Sequence, residues 1–449
     1  MSEQTTGANP ALRIWRPIKR AFTGPETDTD GTVLRWWQRT WPFLLLCFLA
    51  FKLLWAVAGM VTIPAFEFIR HVIVSDPQAV QKVIMELNQH ITNYNPYTMW
   101  FKWDAHRYVV LAETSYTQRL SAEDLRVLHD GIASGGRFPL SPLVLRFAWA
   151  PLFPLLGKVV GYLVGSASVG LFLVANAAFF GCIYYGYKLF EHHFGTKLEA
   201  RRGVWLLMML PASFLLQAAT TEGLFLCLSL ATFYYIQTGK WGKAAVAALL
   251  VGLTRTTGPV MALAIVLLLL QNQHWRFWTK QAWAYAVKAI PAILAAPLGY
   301  AMFTVYCWYM SRGDWGIYAE VQHAEWDVVP TNPLVTMWQQ IADGVYTPRD
   351  VKLIIVLVTL AVLVVCLFAK VPWAYVVYGG VLIMGSMSIG EPWADSILRY
   401  LSFIFAPAML GVVVLRRKPW LESGIVAFAM MFQTVLFVTW AVAWVQWII

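Results

Sequence analysis

Six consecutive residues, Trp103-Asp104-Ala105-His106-Arg107-Tyr108, bring a carboxylate, an imidazole, a guanidinium and two aromatic faces into one short stretch. A carboxylate so placed can take the proton of an attacking hydroxyl. Trp100, Trp103 and Tyr108 offer faces to a sugar ring or to a membrane interface. The plainer role for Asp104 is a cap or ion pair at the start of a helix. His106 follows Asp104 by two positions, so on a helix the two point apart, and catalytic and interfacial roles both stay open for it. Glu222 lies in Ala218-Ala219-Thr220-Thr221-Glu222-Gly223-Leu224, at the mouth between two apolar runs, where a carboxylate is expensive unless it acts or is paired. Arg255 interrupts about thirty apolar residues. Its planar fork suits either a carboxylate such as Glu222 or a phosphate. Arg399-Tyr400 opens a later apolar run with the same two options. Arg137 and Arg146 have them too, with interfacial snorkelling as the simpler account.

Such groups need a scaffold, and composition says which kind. The chain has 449 residues, of which 59% are hydrophobic and only 13% charged, with a mean hydropathy of +0.57. That is more apolar surface than a soluble core of this size buries, so the expected fold is an all-α polytopic membrane protein. The net charge of +10 is spread over short loops and forms no continuous basic stripe, which argues against nucleic acid as a partner. The five cysteines sit in apolar runs without metal-ligand spacing, so neither disulfides nor a metal site is expected from them.

Residues 1–40 carry Arg13, Arg16, Lys19, Arg20, Arg35 and Arg39 and read as a cytoplasmic tail. Residues 41–449 read as one membrane domain, with a first span at 41–61 and outer loops at 62–138 and 311–350. Asp76-Pro77, with Val80, Ile84, Leu87 and Ile91, predicts an interfacial helix in the first loop, and Asn332-Pro333, with Leu334, Trp338, Ile341 and Val345, predicts one in the second. Residues 139–163 are broken by Pro142, Pro151 and Pro154. Treating them as a juxtamembrane or re-entrant element, and 166–187 as the next span, puts Lys188, Lys197, Arg201, Arg202, Lys240, Lys243, Arg276, Lys280, Lys370 and Arg416-Arg417-Lys418 inside. Asp104, Glu222, Arg255 and Arg399 then share the outer side. The expected total is about eleven transmembrane helices plus juxtamembrane helices.

These residues resemble a family. Trp103-Asp104 with Tyr108, Leu111-Ala112 and Tyr116 is similar to the outer-loop Asp motif of the phosphatidylinositol-glycan class V mannosyltransferases, relatives of the enzyme that adds the second mannose of the GPI anchor. Phe138-Pro139-Leu140-Ser141-Pro142-Leu143, Leu210-Pro211-Ala212-Ser213-Phe214, Thr221-Glu222-Gly223-Leu224-Phe225, Leu253-Thr254-Arg255-Thr256-Thr257-Gly258 and Arg399-Tyr400 resemble its later blocks in the same order, over residues 100–405. Ser141 and Thr220 stand where the family usually has Tyr, a departure that bears on the acceptor.

The resemblance implies a GT-C type helical bundle. It implies a polyprenyl-phosphate-linked donor, commonly of mannose, and a glycan, glycolipid or protein acceptor, with the site on the extracytoplasmic face of a bacterial plasma membrane. In the expected inverting displacement, Asp104 deprotonates or orients the acceptor hydroxyl, Glu222 positions the sugar or tunes Asp104, and Arg255 with Arg399 holds the departing phosphate. Trp103, His106, Arg107, Tyr108 and Tyr400 complete the expected binding residues. No Asp-x-Asp lies near the site, so no cofactor or metal is expected in the reaction. A transporter or flippase of lipid-linked sugars, or a noncatalytic transferase subunit, would use similar groups.

Overall fold

The structure, a computed structural model, describes residues 25–28, 31–73, 95–114, 116–134, 140–342, 348–390 and 393–441. Among these, the regular elements are helices, apart from one isolated bridge between Thr27 and Val33. In chain order the helices that frame the site are α1 (Thr40–Ile73), α2 (Asp104–Glu113), α3 (Ala122–Ala133), α4 (Leu152–Val164), α5 (Ala167–Phe194), α6 (Lys197–Met208), α7 (Thr221–Gln237), α8 (Trp241–Thr254) and α9 (Val260–Asn272). They continue with α10 (Lys280–Met310), α11 (Ile317–Trp326), α12 (Pro333–Ala342), α13 (Pro348–Phe368), α14 (Trp373–Met387), α15 (Trp393–Leu401), α16 (Ala406–Arg417) and α17 (Glu422–Ala441).

Five stretches are long and apolar enough to cross a membrane: Thr40–Ile63, Ala167–Phe194, Lys280–Met310, Val351–Phe368 and Pro419–Ala441. The other apolar helices, α4, α8, α9 and α14, have only 13, 14, 13 and 15 residues. At 1.5 Å per residue they rise about 20–23 Å, short of a hydrocarbon core of about 30 Å. Breaks at Pro151 and Gly165, at Pro259, and at Pro372 and Ser388 bound α4, α9 and α14.

The first span begins one residue before its expected position and its helix runs on to Ile73, while the second has Ser166 as its N-cap and extends to Phe194. These two helices run antiparallel, with the Thr40 and Tyr187 hydroxyls 3.3 Å apart and the Phe48 and Phe179 rings 5.6 Å apart. The N-terminus of α1 therefore lies at the same end of the bundle as the C-terminus of α5. Glu26, Lys197, Arg202, Glu199, Arg416 and Glu422 pair with one another at that end.

The proline-broken segment forms one turn at Pro142–Leu145, a 3-10 turn at Arg146–Ala148, and then α4. Helix α4 folds back on α5 so closely that a Cβ on Gly170 would stand 2.3 Å from the Gly157 oxygen. Helix α12 starts where Asn332-Pro333 indicated, and Leu334, Trp338 and Ile341 are exposed along it. The expected helix at Asp76-Pro77, as well as Arg137, Phe138-Pro139 and Val345, lies outside the described residues.

Candidate active site

Four chain segments far apart in sequence meet at one cluster of charge. Glu222 is the second residue of α7, and the backbone that leads to it is a buried 3-10 turn, Ser213–Gln217. Irregular backbone at this depth needs internal partners. The Ser213 hydroxyl donates to the Leu207 oxygen (2.6 Å), the Gln433 amide donates to the Met208 and Leu210 oxygens, and the Ala219 N–H donates to the Trp100 oxygen (3.0 Å). Gly223 permits the fold-back, because a Cβ there would stand 2.4 Å from the Leu216 oxygen. Arg255 occupies the break between α8 and α9, closed by Gly258, whose Cβ would meet Gly252 at 2.6 Å. Arg399 comes from the last turn of α15.

Asp104 opens α2, and the residue before it is strained. Trp103 has φ 57° and ψ −127°, a conformation that a side chain with a Cβ rarely adopts, so the surrounding packing must hold it there.

Arg399 bridges the two carboxylates. Its Nε donates to Glu222 Oε1 at 2.6 Å and its Nη1 donates to Asp104 Oδ2. Arg255 Nη1 donates to the same Glu222 oxygen at 3.1 Å and to the Thr221 hydroxyl at 2.8 Å. Its guanidinium lies 5.0 Å from the Tyr400 ring and 4.9 Å from the Phe403 ring. Side-chain exposure grades across the cluster, from 1% for Glu222 through 11% for Arg399 and 13% for Arg255 to 25% for Asp104. Glu222 is thus the floor and Asp104 the mouth.

A cleft of about 270 Å³, counting the part that opens to solvent, is lined by Lys102, Trp103, Asp104, Thr220, Glu222 and Arg399, with Leu215, Ala218 and Trp440 as its apolar wall. Inside its walls there is room for about one water molecule. Two buried polar atoms on these lining residues have no completed hydrogen bond: the Trp103 indole N–H, a donor, and Glu222 Oε2, an acceptor beside Thr220. A hydroxylated ligand or a water would satisfy both.

The structure thus brings Asp104, Glu222, Arg255, Arg399, Trp103 and Tyr400 together. Tyr108 supports them from behind, fully buried against Trp149 and Phe153, where burial raises its phenol pKa well above the ordinary value. Arg107 is half exposed and pairs with Glu325 on α11 at 2.6 Å, while His106 is exposed on the same helix; neither lines the cleft. Arg146 does not snorkel: it is buried and donates to the Gln118 oxygen beside Phe147, outside the cleft. Lys102 and Trp440 were not singled out from sequence. Lys102 borders the Asp motif, which was signal enough, whereas Trp440 sits in a plain apolar helix and carries none.

No protein-family model and no curated protein sequence matches the chain. The chemistry of the site has to be read from its own groups.

Proposed function

We propose that the protein is a membrane glycosyltransferase that moves a sugar, mannose in the first instance, from a polyprenyl-phosphate donor to an acceptor hydroxyl by a single inverting displacement. The observation that carries this reading is the Arg399 guanidinium shared between an outer carboxylate, Asp104, and a buried one, Glu222, beside an unpaired indole donor.

A departing lipid phosphate needs its charge met, and a guanidinium can do this without a metal. In the resting arrangement Arg399 is occupied by Asp104, and the cleft is nearly filled. Donor binding in this scheme draws Arg399 from Asp104 to the phosphate. The same exchange frees the Asp104 carboxylate to accept the acceptor's proton, so the base becomes competent only when the leaving group is in place. Glu222 stays behind, paired with Arg255, as the floor of the site, while Trp103 and Tyr400 flank the sugar.

The scaffold proposed for this chemistry is a GT-C type bundle of about eleven membrane-embedded helices. The end with Lys197 and Arg416 faces the cytoplasm and the cleft faces the extracytoplasmic side of a bacterial plasma membrane. In this reading the prenyl chain stays in lipid while its phosphate reaches Arg399 at the cleft. Short helices broken at a charged site also suit a carrier of lipid-linked sugars. Purified protein given polyprenyl-phosphate mannose and candidate acceptors separates the two readings: a mannosylated product supports the transferase, and donor translocation across vesicles without product supports the carrier.

A further inference from the structure

On the loops that flank the bundle, away from the Asp104 cleft, three side chains from separate stretches converge. His129 stands on α3, Asp314 in the turn after α10, and Glu320 in the first turn of α11. One donor atom from each lies within 4.8 Å of the others. His129 Nε2 is 3.0 Å from Glu320 Oε2 and 3.8 Å from Asp314 Oδ2. Ligand atoms bound at about 2.0–2.2 Å in a tetrahedral site stand about 3.3–3.6 Å apart. The two measured separations bracket that spacing.

The turn fixes Asp314 in place. Its Oδ1 accepts from the Gly316 N–H at 2.6 Å, and its main-chain oxygen accepts from the Ser311 hydroxyl at 3.0 Å. That leaves Oδ2 on the His129 side, buried and without a hydrogen-bond partner. An acceptor oxygen in that state asks for a proton donor or a cation. One imidazole carries at most one positive charge against two carboxylates.

We propose that His129, Asp314 and Glu320 form a divalent-cation site, of the zinc class by its one imidazole and two carboxylates, that clips α3 to the α10–α11 turn. The half-exposed His129 leaves the fourth position open to water. The clip reinforces a seam already begun by the backbone, where the Leu120 N–H donates to the Met310 oxygen at 3.0 Å and Arg312 Nε donates to the Leu120 oxygen at 2.7 Å. It stands apart from the proposed transfer chemistry.

The test uses the full-length protein in nanodiscs, stripped with a chelator and titrated with Zn²⁺ alone. The expected result is one equivalent bound with a rise in Tm, and, with Co²⁺ in its place, visible absorption of a four-coordinate nitrogen–oxygen site. His129→Ala should weaken binding by more than the roughly 10–100-fold lost when a residue that merely orients a ligand is removed. Asp314→Asn keeps the Gly316 hydrogen bond through its amide oxygen, so it separates loss of a ligand from loss of the turn and should also weaken binding. His323→Ala, which alters a nearby exposed histidine 3.5 Å from Asp327, should leave binding unchanged. Absence of retained Zn²⁺, or full binding in both His129→Ala and Asp314→Asn, would overturn the proposal.

Discussion

At the level of single residues, the cluster divides into groups that hold the fold and groups that face the cleft. Glu222 compensates two guanidiniums at almost no exposure. Glu222→Ala strips both arginines of a charge partner, and removing one member of a buried pair costs about 3–5 kcal/mol. Its expected effect is a large fall in Tm along with loss of transfer, read by thermal denaturation in detergent. Trp103→Phe is the contrasting case. The indole N–H has no partner in the protein to lose, so stability should fall only by the packing lost with the smaller ring. Transfer should weaken by about tenfold, the worth of one hydrogen bond of about 1–1.5 kcal/mol to the sugar. Unchanged kinetics would show that the ring, not its N–H, is what the site uses. Asp104, Glu222, Arg255 and Arg399 were legible in the sequence because charge is costly in apolar surroundings. Which arginine would join the two carboxylates was not legible, since Arg255 and Arg399 present the same signal and only the fold places Arg399 between Asp104 and Glu222. The His129, Asp314 and Glu320 cluster left no trace either, because its members come from three unrelated stretches with no motif spacing.

The elements that aim these side chains are interrupted helices, and small residues set the interruptions. Gly223→Ala puts a methyl 2.4 Å from the Leu216 oxygen, a backbone atom that cannot rotate away. Overpacking of this kind costs about 1–3 kcal/mol, and α7 should shift enough to misplace Glu222; normal stability and activity in this variant would contradict the account of the turn. At the opposite end, Glu26 caps α1. Its carboxylate accepts from the Thr40 N–H (2.9 Å) and hydroxyl (2.6 Å), and it lies 2.7 Å from Lys197 Nζ. Burial alone would raise the Glu26 pKa, but the Lys197 and Thr40 bonds outweigh it and the net shift is downward. A carboxylate with a depressed folded pKa stabilises above its unfolded value and loses that contribution as pH falls through the folded one. Glu26→Ala should therefore cost about 1 kcal/mol at neutral pH, and the difference from the unmodified protein should vanish in acid below the usual carboxylate range. A difference that persists there would refute the capping role. Helix α12 was readable from Asn332-Pro333 and its apolar spacing. The buried 3-10 turn at Ser213–Gln217 was not, since the backbone on either side of it is held by Gln433 and Trp100, which no local pattern connects to it.

For the whole molecule, exposed aromatic residues gather at both ends of the long helix α10. Exposed Trp278 and Trp283 lie at one end of α10, and Trp308, Tyr309 and Trp315 at the other. Trp283 and Trp308 are about 38 Å apart along the helix at 1.5 Å per residue, which suits a hydrocarbon core with both interfaces. The all-helical membrane architecture was plain from composition. Helix lengths were not, because apolar runs do not show where a Gly-Pro or Pro-Ala-Ser break turns the chain short of the far surface. The proposed orientation is checked by thiol labelling: in intact cells an impermeant reagent should modify Asn332→Cys and should reach Lys240→Cys only after permeabilisation, and the reverse pattern would invert the topology.

All of this serves one proposed event, the release of Asp104 from Arg399 when the donor phosphate arrives. The most direct test is Asp104→Asn in the purified protein, with polyprenyl-phosphate mannose binding and turnover measured side by side. Turnover should fall by about 10²–10⁴-fold, the usual worth of a general base. Donor binding should be kept or tightened, because Arg399 no longer has to leave a carboxylate. Turnover equal to that of the unmodified protein, or loss of donor binding in a folded variant, would contradict the account.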